Sequence, residues 1–351
     1  MTTSQTIRLD AQSLHQLVVD IFRAHDMRTE HAATFADVLI WAELRGIDSH
    51  GIERVPRYLD MIAQGQIDPA GEPELRALGD ALFLIDGNRQ FGAVPLTMAM
   101  QEAVVRARRA GVALGVVSRC GHSGAIGYYA QWIARQGMAA IVLGAGPPLM
   151  AYHGAKVASL STSPLAIAVP GGPSGVTMLD MASAIASNGR LQQARRTGET
   201  IPLGWALDAE GKPTTDPAQA QIGLPIGGPK GAGLGLMFEC LTSVMAATPL
   251  LTTMLGPGRK NYHQQSQMVI AIDISKFRDV ADYAADVDLL DDLIRSLPQI
   301  DPAQPIRIPG ERSELEALER MEKGVPLSDR LRRELLDAAA SSGVTPPAAM
   351  L

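Results

Sequence analysis

Gly46-Ile-Asp-Ser-His-Gly-Ile-Glu-Arg-Val-Pro-Arg-Tyr58 brings a hydroxyl, an imidazole, two guanidinium groups and a phenol into one short span of the chain. Gly46 predicts the end of a preceding helix, because glycine is preferred just past a helix C-terminus. A second helix is predicted to follow, because apolar residues recur at helical spacing from Val55 onward. Ser49 and His50 are therefore expected in a turn between two helices.

The polar groups of this stretch suit a small carboxylic acid substrate. His50, Arg54 and Tyr58 follow one another at four-residue steps, so a helix that begins early would place them on one face. An Arg fork holds a carboxylate in a fixed plane, and a His with a pKa near neutrality can move a hydroxyl proton. The pattern favours a 2-oxo or 2-hydroxy acid, but a polar turn with Arg and Tyr facing solvent would look the same.

The composition limits the class of protein. The 351 residues can bury a large core, divided over two or three lobes. A formal net charge of −6 argues against a nucleic acid or an anionic membrane as partner. We expect no membrane span and no secretory signal, because no apolar run has the required length. The two cysteines and seven histidines show no disulfide framework or metal-ligand spacing, so we predict no metal site and a cytoplasmic location.

The order of predicted elements indicates an α/β fold with a mixed central sheet. Two helices, capped by Asp10 and Thr29, are predicted before the opening stretch. Strands are predicted over residues 81–86, 112–118, 138–143, 165–169 and 268–274, and helices over residues 97–110, 126–136, 231–247, 287–297 and 327–340. Residues 178–226 break into short pieces. Because the alternation is irregular, a mixed sheet is favoured over a doubly wound one. We expect residues 1–75 and about 285–351 to pack as one helical lobe and residues 76–284 to form a sheet-rich lobe.

A Rossmann dinucleotide fingerprint is incomplete in residues 140–149. Gly144 and Gly146 follow a predicted strand, but Leu149 stands where the third glycine belongs, and no acidic residue follows at the required distance. We therefore predict a fold that is not of the Rossmann type, although this turn could still touch a nucleotide.

Three other segments could bind an anion or react. In Gly121-His-Ser-Gly-Ala-Ile-Gly127, backbone N–H groups at a helix start could form an anion site, and His122 is either a reacting group or a local hydrogen-bonding residue. Lys230 precedes an apolar helix without the spacing of a Walker loop, and the glycines around it can equally permit close packing. Asp180, at the end of a predicted strand, could orient a His, bond a ribose or cap the next helix.

Taken together, the motifs resemble those of the type 2 malate/L-lactate dehydrogenase family. The resemblance covers nearly the whole chain, from about Leu9 to beyond Arg312. It rests on Ser49-His50-Gly51 with Arg54, Gly121–Gly127, Asp180-Met181-Ala182, Trp205–Pro217, Gly228-Pro229-Lys230-Gly231 and Ile308–Arg312.

The resemblance implies a homodimeric NAD(P)-dependent oxidoreductase in which the helical lobe serves dimerisation and substrate, and the sheet-rich lobe binds NAD or NADP. It implies catalytic roles for His50, His122 and Ser49, and substrate binding by Arg54, Tyr58 and Thr162. The cofactor-binding residues that it implies are His122, Ser123, Gly124, Ala125, Ile126, Gly146, Asp180, Met181, Ala182, Lys230, Pro309, Gly310, Glu311 and Arg312.

Departures from the family pattern leave the substrate open. The chain has Ser161-Thr162-Ser163-Pro164 where the family usually carries Gly-Thr-Asn-Pro, and it also differs at residues 153–156 and 188–190. The small carboxylate could be a 2-oxo or 2-hydroxy acid such as malate, lactate or ureidoglycolate, or a cyclic imino acid. A nucleotide-binding homologue without activity is the remaining alternative. Four arginines, at positions 119, 195, 196 and 312, are unranked candidates for a 2′-phosphate.

Overall fold

The computed structural model describes residues 7–248, 250 and 265–351. Its α-helices are α1 (Ala11–Arg23), α2 (Thr29–Leu44), α3 (Val55–Ala63), α4 (Ala93–Ala110), α5 (Gly127–Ala134), α6 (Asn188–Thr197), α7 (Pro229–Glu239), α8 (Val280–Arg295), α9 (Glu311–Lys323) and α10 (Asp329–Ser341). Its strands are β1 (Ile7–Leu9), β2 (Glu74–Ala77), β3 (Leu82–Asp86), β4 (Val112–Cys120), β5 (Met138–Ala145), β6 (Met150–Ala151), β7 (Ala158–Leu160), β8 (Leu165–Pro170), β9 (Val176–Met181), β10 (Ala206–Leu207), β11 (Pro213–Thr214), β12 (Ile222–Gly223), β13 (Gln265–Asp273) and β14 (Val325–Leu327).

A seven-stranded mixed sheet forms the centre, in the order β2-β3-β4-β13-β5-β8-β9. Only β3 and β4 are paired in parallel; the other neighbours are antiparallel. The prediction of an α/β fold with a mixed sheet, unlike the parallel Rossmann sheet, is therefore confirmed. Strand β13, which comes late in the sequence, lies between β4 and β5. The strand that leads to His122 (β4) and the strand that contains Leu143 (β5) therefore lie on either side of β13.

The two faces of the sheet bury different side chains. Alternate residues of a strand point to opposite faces, so Val117 and Val269 join the main core with α1, α2, α4 and α5. Val116 and Met268 join a second cluster with Phe238 of α7 on the other face. The catalytic candidates of the opening stretch lie on the side of the main core.

The two ends of the described chain meet. Strand β1 pairs antiparallel with β14, and α10 contacts α1 and α3, while α9 contacts α2. The main core nevertheless runs without interruption from these helices to the central sheet. The division into lobes at residues 75 and 285 stays a prediction, and its parts at residues 1–6, 249 and 251–264 lie outside the described residues.

Helix α6 and the short strands β10, β11 and β12 occupy the region predicted as short pieces. These strands join β6 and β7 in a smaller sheet with the order β11-β10-β12-β6-β7. Ser187 caps α6 by accepting a hydrogen bond from the Arg190 N–H. The unit has a small core of its own, which includes Leu191 and Ile201. The sequence failed to predict α6 because the helix has few apolar residues and no broad apolar stripe.

Helix boundaries show which local signals were reliable. Asp10 caps α1 as predicted, accepting from the Ser13 N–H at 2.8 Å. Thr29 is the first helical residue of α2 rather than its cap. The predicted helix over residues 231–247 is shorter: α7 ends at Glu239 and a π-helical turn (Cys240–Val244) follows. The helix predicted from residue 327 begins at Asp329, because residues 325–327 pair with β1. Among the described helices, none combines the length and apolar character needed to cross a membrane.

Phe35 should be a large contributor to stability. It is 1% exposed, and its ring centroid lies 4.7 Å from that of Phe22 and 4.6 Å from that of Phe91. Phe35→Ala should lower the free energy of unfolding by about 3–5 kcal/mol, through lost burial and the cavity left behind. Phe277→Ala, at a ring that is 79% exposed, is the matched control and should change it by less than about 0.5 kcal/mol. Urea denaturation measures both, and equal effects would contradict the assigned core.

Candidate active site

The opening stretch folds as two single turns between helices. Gly46 has a φ of +68°, the left-handed conformation that ends a helix. Two 3₁₀ turns, Asp48–His50 and Ile52–Arg54, then precede α3. The helix therefore does not begin early, and His50 and Arg54 are not on one helical face. They meet instead because Arg54 Nε donates a hydrogen bond of 2.6 Å to the Ser49 carbonyl, folding the second turn back on the first.

Two histidines that are far apart in sequence lie side by side. The ring centroids of His50 and His122 are 5.3 Å apart, with an angle of 32° between the ring planes. Ser49 Oγ lies 2.9 Å from His50 Nδ1, and Tyr58 Oη lies 2.8 Å from His122 Nδ1. Both imidazoles are half-buried, whereas Tyr58 is fully buried. The structure thus brings both predicted histidines, with Ser49, Arg54 and Tyr58, to one place.

The surroundings of His122 select its tautomer. The backbone N–H of Gly124 donates to His122 Nδ1 at 3.1 Å. A backbone amide can only donate, so Nδ1 accepts and the ring proton of the neutral imidazole is on Nε2. The Tyr58 hydroxyl then also donates to Nδ1. His122 therefore presents a hydrogen-bond donor, Nε2–H, on its other side.

The site favours neutral imidazoles. Burial, followed by the positive charge of Arg54, lowers the pKa of His50 to about 3. Burial, Arg54 and His50 together lower the pKa of His122 well below its usual value. Burial raises the pKa of Tyr58 to about 12. Near pH 7 the free protein therefore holds two neutral imidazoles and a protonated phenol beside one guanidinium.

The glycine-rich turn before α5 is already bound by a carboxylate of the protein. Gly127 N–H, at the start of α5, donates to Asp180 Oδ2 at 3.1 Å. Asp180 therefore binds the start of α5 and does not cap the next helix, α6. Burial raises the pKa of Asp180 to about 6, and the Gly127 N–H opposes that shift. The residue nevertheless remains exposed to solvent.

Other predicted cofactor residues of this turn contribute only their backbone. Ser123 is buried, and its Oγ faces Gly92, where a Cβ would clash with it. Ala125 and Ile126 are also buried. A ligand over the turn would therefore meet main-chain atoms beside His122.

The predicted C-terminal motif lies against the strand that ends near Asp180. Met178 N–H donates to the Pro309 carbonyl at 3.4 Å. Gly310 has a φ of +88°, and a Cβ there would lie 2.9 Å from the Met178 carbonyl oxygen. Glu311 accepts from the Ile308 N–H and lies 3.4 Å from Arg295. The motif therefore contacts strand β9 at Met178, two residues before Asp180.

Helix α7 packs closely on the segment that contains Thr162. The Thr162 carbonyl accepts from the Ser183 N–H at 2.8 Å. A Cβ on Gly231 would lie 2.9 Å from the Ser183 carbonyl oxygen, and one on Gly235 would lie 3.2 Å from Ser163 Oγ. Both glycines therefore permit close packing. A Cβ on Gly146 would lie 3.3 Å from Gln265 Oε1. The turn at Gly146 is therefore at the same end of the sheet as the segment that contains Thr162.

Three residues to which the sequence analysis gave no role contact the opening stretch. Gly189, at the start of α6, lies so close to Ser49 that a Cβ there would clash with the serine side chain. Glu43 Oε2 accepts the Ile52 N–H at 3.0 Å, and Arg320 Nη1 donates to Asp48 Oδ1 at 3.0 Å. An acidic residue within the apolar run of α2 was the available signal for Glu43, and the departure from the family pattern at residues 188–190 was the signal for Gly189. Arg320 carried none.

The described residues can hold a dinucleotide but show no metal centre. No group of three or more His, Cys, Asp or Glu side chains within residues 7–248, 250 and 265–351 is arranged to bind a metal ion. Asp180 Oδ1 has no partner within those ranges and can accept from a ribose hydroxyl. Lys230 and Arg312 are exposed, and neither has a partner among the described residues. Their charges can therefore bind phosphates. These groups fit the donors and anions of a nicotinamide nucleotide.

Comparison with known proteins identifies the family of the chain. The family model described as malate/L-lactate dehydrogenase matches residues 9–336. The malate/(S)-sulfolactate dehydrogenase of Methanothermus fervidus is 35% identical over 331 residues, which cover 92% of this chain and 94% of the relative. The structure of sulfolactate dehydrogenase from Methanocaldococcus jannaschii has a TM-score of 0.87 at 32% identity, covering 97% of this chain and 98% of that one.

A reductase of a cyclic imino acid has the same fold. The structure of delta1-piperideine-2-carboxylate reductase from Pseudomonas syringae has a TM-score of 0.87 at 26% identity and covers 95% of this chain and 100% of that one. The resemblance inferred from the motifs is confirmed. The chain belongs to the malate/L-lactate dehydrogenase family and is an NAD(P)-dependent oxidoreductase.

Proposed function

We propose that the protein transfers hydride between NAD(P)H and a small 2-oxo carboxylate, and in reverse from the corresponding 2-hydroxy acid. The convergence of the half-buried side chains of His50, His122 and Arg54 is the observation that carries this proposal. The named activities of the relatives, on malate and sulfolactate, support the same substrate class.

Arg54 is placed to hold the substrate carboxylate. Its Nε is used by the Ser49 carbonyl, while its two terminal nitrogens have no partner in the part of the chain that the structure describes. These nitrogens present parallel N–H groups that match a carboxylate in two-point geometry. Fixing Nε to the backbone orients that fork before substrate arrives, so less entropy is lost on binding.

His122 is suited to polarise the substrate oxygen. Its Nε2–H can donate to the carbonyl oxygen of a 2-oxo acid or to the hydroxyl oxygen of the product. Protonation of Nδ1 would set an N–H against the Gly124 N–H, so His122 stays neutral through the reaction. A neutral donor of this kind stabilises the negative charge that develops on oxygen.

His50 is the better candidate to exchange the proton. Its Nδ1 partner, the Ser49 hydroxyl, can donate or accept, so both neutral tautomers and the imidazolium are compatible with this contact. A substrate carboxylate on Arg54 also neutralises the charge that, after burial, depresses the pKa of His50. Substrate binding therefore makes His50 easier to protonate at the moment when a proton is needed.

The cofactor supplies the hydride, since a reduced nicotinamide ring is a hydride donor. Asp180 would bind the ribose, and Lys230 and residues 309–312 would meet the phosphates. Among the four candidate arginines, Arg119 pairs with Asp86, Arg195 donates to the Pro217 carbonyl and Arg196 pairs with Glu53. Arg312 is thus the best placed of the four to take a 2′-phosphate.

Reduction of a cyclic imino acid is the second candidate function, favoured by the likeness to the piperideine carboxylate reductase. Arg54 would hold the same carboxylate, and the proton would go to nitrogen instead of oxygen. This reaction needs no change in the arrangement of the two histidines.

A panel of 2-oxo acids and cyclic imines, each with NADH and NADPH, tests the proposal through loss of reduced-nicotinamide absorbance. Turnover of a 2-oxo acid supports it, while turnover of cyclic imines alone supports the second function.

Arg54→Ala should reduce kcat/KM about 100-fold or more, mainly by raising KM. His50→Ala and His122→Ala should mainly lower kcat. Arg57→Ala, at an exposed arginine of the same stretch, is the control, and unchanged kinetics in all three site variants would overturn the assignment.

Asp180 should make cofactor affinity depend on pH. Its pKa is raised to about 6, so its carboxylate is protonated below that pH and accepts ribose hydroxyls less well. Affinity for NADH or NADPH, measured by fluorescence titration, should fall as the pH drops through about 6. Asp180→Asn should bind more weakly at pH 8 and lose this dependence, while Asp26→Asn, at an exposed position, should behave like the wild type. A wild-type affinity that stays constant from about pH 5 to 8 would remove Asp180 from the cofactor site.

We also propose a homodimer in the cytoplasm. Leu289, Leu290 and Leu293 of α8 are each more than half exposed, and clustered exposed leucines are typical of an interface. Two unpaired cysteines suit a reducing compartment. Light scattering should give about twice the chain mass of 37.3 kDa, and Leu290→Glu with Leu293→Glu should reduce it to one chain. A single-chain mass for the wild type would refute the dimer.

A further inference from the structure

The carboxyl group of Glu43 supports the turn that carries His50 and Arg54. Glu43 is the second-last residue of α2 and is 1% exposed. Its Oε2 accepts the Ile52 N–H at 3.0 Å and lies directly beneath Gly51, where a Cβ would clash with it. The contact therefore falls on the backbone between the two catalytic candidates.

Arg320 of α9 holds the same turn from another side. It is 8% exposed. Its Nη1 donates to the Glu43 carbonyl at 2.6 Å and to Asp48 Oδ1 at 3.0 Å, and lies 3.5 Å from Glu43 Oε1. Its Nε donates to Glu316 Oε1 at 2.7 Å, which fixes the guanidinium on its own helix. One side chain thus joins the end of α2, the start of the turn and α9.

Helix α9 connects this contact to the proposed nucleotide side. It begins directly after Gly310, which lies against Met178 of β9. A second buried contact keeps the helix in place: Arg45 Nη2 donates to Glu314 Oε2 at 2.9 Å and to Gln131 Oε1 at 3.1 Å. Both contacts fall at the first turn of α9, so they fix the start of the helix that carries Arg320 relative to β9.

We propose that Glu43 and Arg320 are positioning residues, which set the His50–Arg54 turn at a fixed place relative to α9 and the nucleotide-binding side. Neither residue touches the reacting atoms; both act through the backbone of the turn. The proposal rests on the proposed function for its kinetic consequence, but its structural claim does not.

Charge is not the essential property of Glu43 in this role. Burial first, and then Asp48, raises the pKa of Glu43 to about 8, against the opposing Ile52 N–H and Arg320. Asp48 and Glu53 of the turn and Arg320 of α9 are the charged groups that face it. A largely protonated carboxyl still offers an oxygen to the Ile52 N–H, and an amide offers the same oxygen.

Two substitutions at position 43 separate positioning from packing. Glu43→Gln keeps the acceptor oxygen, whereas Glu43→Leu keeps a similar volume and removes it. Glu43→Leu should reduce kcat/KM about 10- to 100-fold, because displacement of a reacting group by about an ångström has that effect. Its affinity for NADH should be unchanged, since no residue of the proposed nucleotide site is altered. Glu43→Gln should stay within about threefold of the wild type.

Arg320→Lys provides a second test that does not depend on the folding of Glu43→Leu. It keeps the charge but loses the fork that spans Glu43, Asp48 and Glu316, so it should also lower kcat/KM with NADH affinity unchanged. Arg23→Gln, at a half-exposed arginine, is the control and should match the wild type.

The imidazole NMR resonances of His50 and His122 give a readout without turnover. Glu43→Leu and Arg320→Lys should shift the His50 resonances, while Glu43→Gln should not. Wild-type kinetics and unshifted resonances in both altered proteins, or equal losses in Glu43→Gln and Glu43→Leu, would overturn the proposal. If the wild type turned over no substrate of the panel, the proposed function would fail, and the resonances would still decide the positioning claim.

Discussion

The hydrogen bond between Tyr58 and His122 joins the hydrophobic core to the candidate reacting groups. The Tyr58 ring is fully buried, with its centroid 5.2 Å from that of Phe35 and 5.1 Å from that of Phe91. Because close-packed aromatic rings cannot shift without opening the core, the hydroxyl at the ring edge is a fixed point. His122 is held by this hydroxyl and by the Gly124 N–H on one nitrogen. Core packing therefore determines both the orientation and the tautomer of the imidazole.

Fixing the candidate active site through buried contacts also explains where the structure buries charged side chains. Buried ion pairs are expensive because both partners lose water, yet Arg45–Glu314 lies buried beside the candidate active-site turn. The buried Arg320 guanidinium there contacts Asp48 and Glu316 as well as the largely protonated Glu43. Each arginine also donates to a neutral oxygen, Arg45 to Gln131 and Arg320 to the Glu43 carbonyl, so the guanidinium groups remain solvated by the protein. These contacts fix helices α2 and α9 to each other. The charge of Arg54, by contrast, is only half-buried, so under the proposed function a substrate carboxylate can neutralise it.

Local features were predictable because residues within one turn determine them. Asp10 begins a helix and Gly46 ends one, as expected. The strand predicted over residues 112–118 is present and extends two residues further, to Cys120. Features that join distant segments were not predictable: the insertion of β13 between β4 and β5 and the bond from Gly127 to Asp180 depend on tertiary packing. Helix α9 was missed, and its apolar residues would not have marked the packed face: Leu315, Leu318 and Met321 are exposed, whereas Ala317 and Arg320 are buried. The roles of the site residues came from the family pattern and from chemistry, since single motifs each allowed a structural alternative.

The structure also explains how the departures at residues 161–163 are accommodated. Ser163 has a φ of +42°, a conformation that asparagine and glycine adopt more readily than other residues. Here the Ser161 hydroxyl accepts the Ser163 N–H at 2.9 Å, and the two hydroxyls lie 3.0 Å apart. Local hydrogen bonds of this kind compensate for an unfavourable backbone conformation. The two serines therefore act as a pair: Ser161 supplies the partner that Ser163 needs, and Thr162 between them keeps its carbonyl bonded to Ser183. Because these bonds stabilise the backbone of this segment, the buried serines that depart from the family pattern leave its local conformation intact.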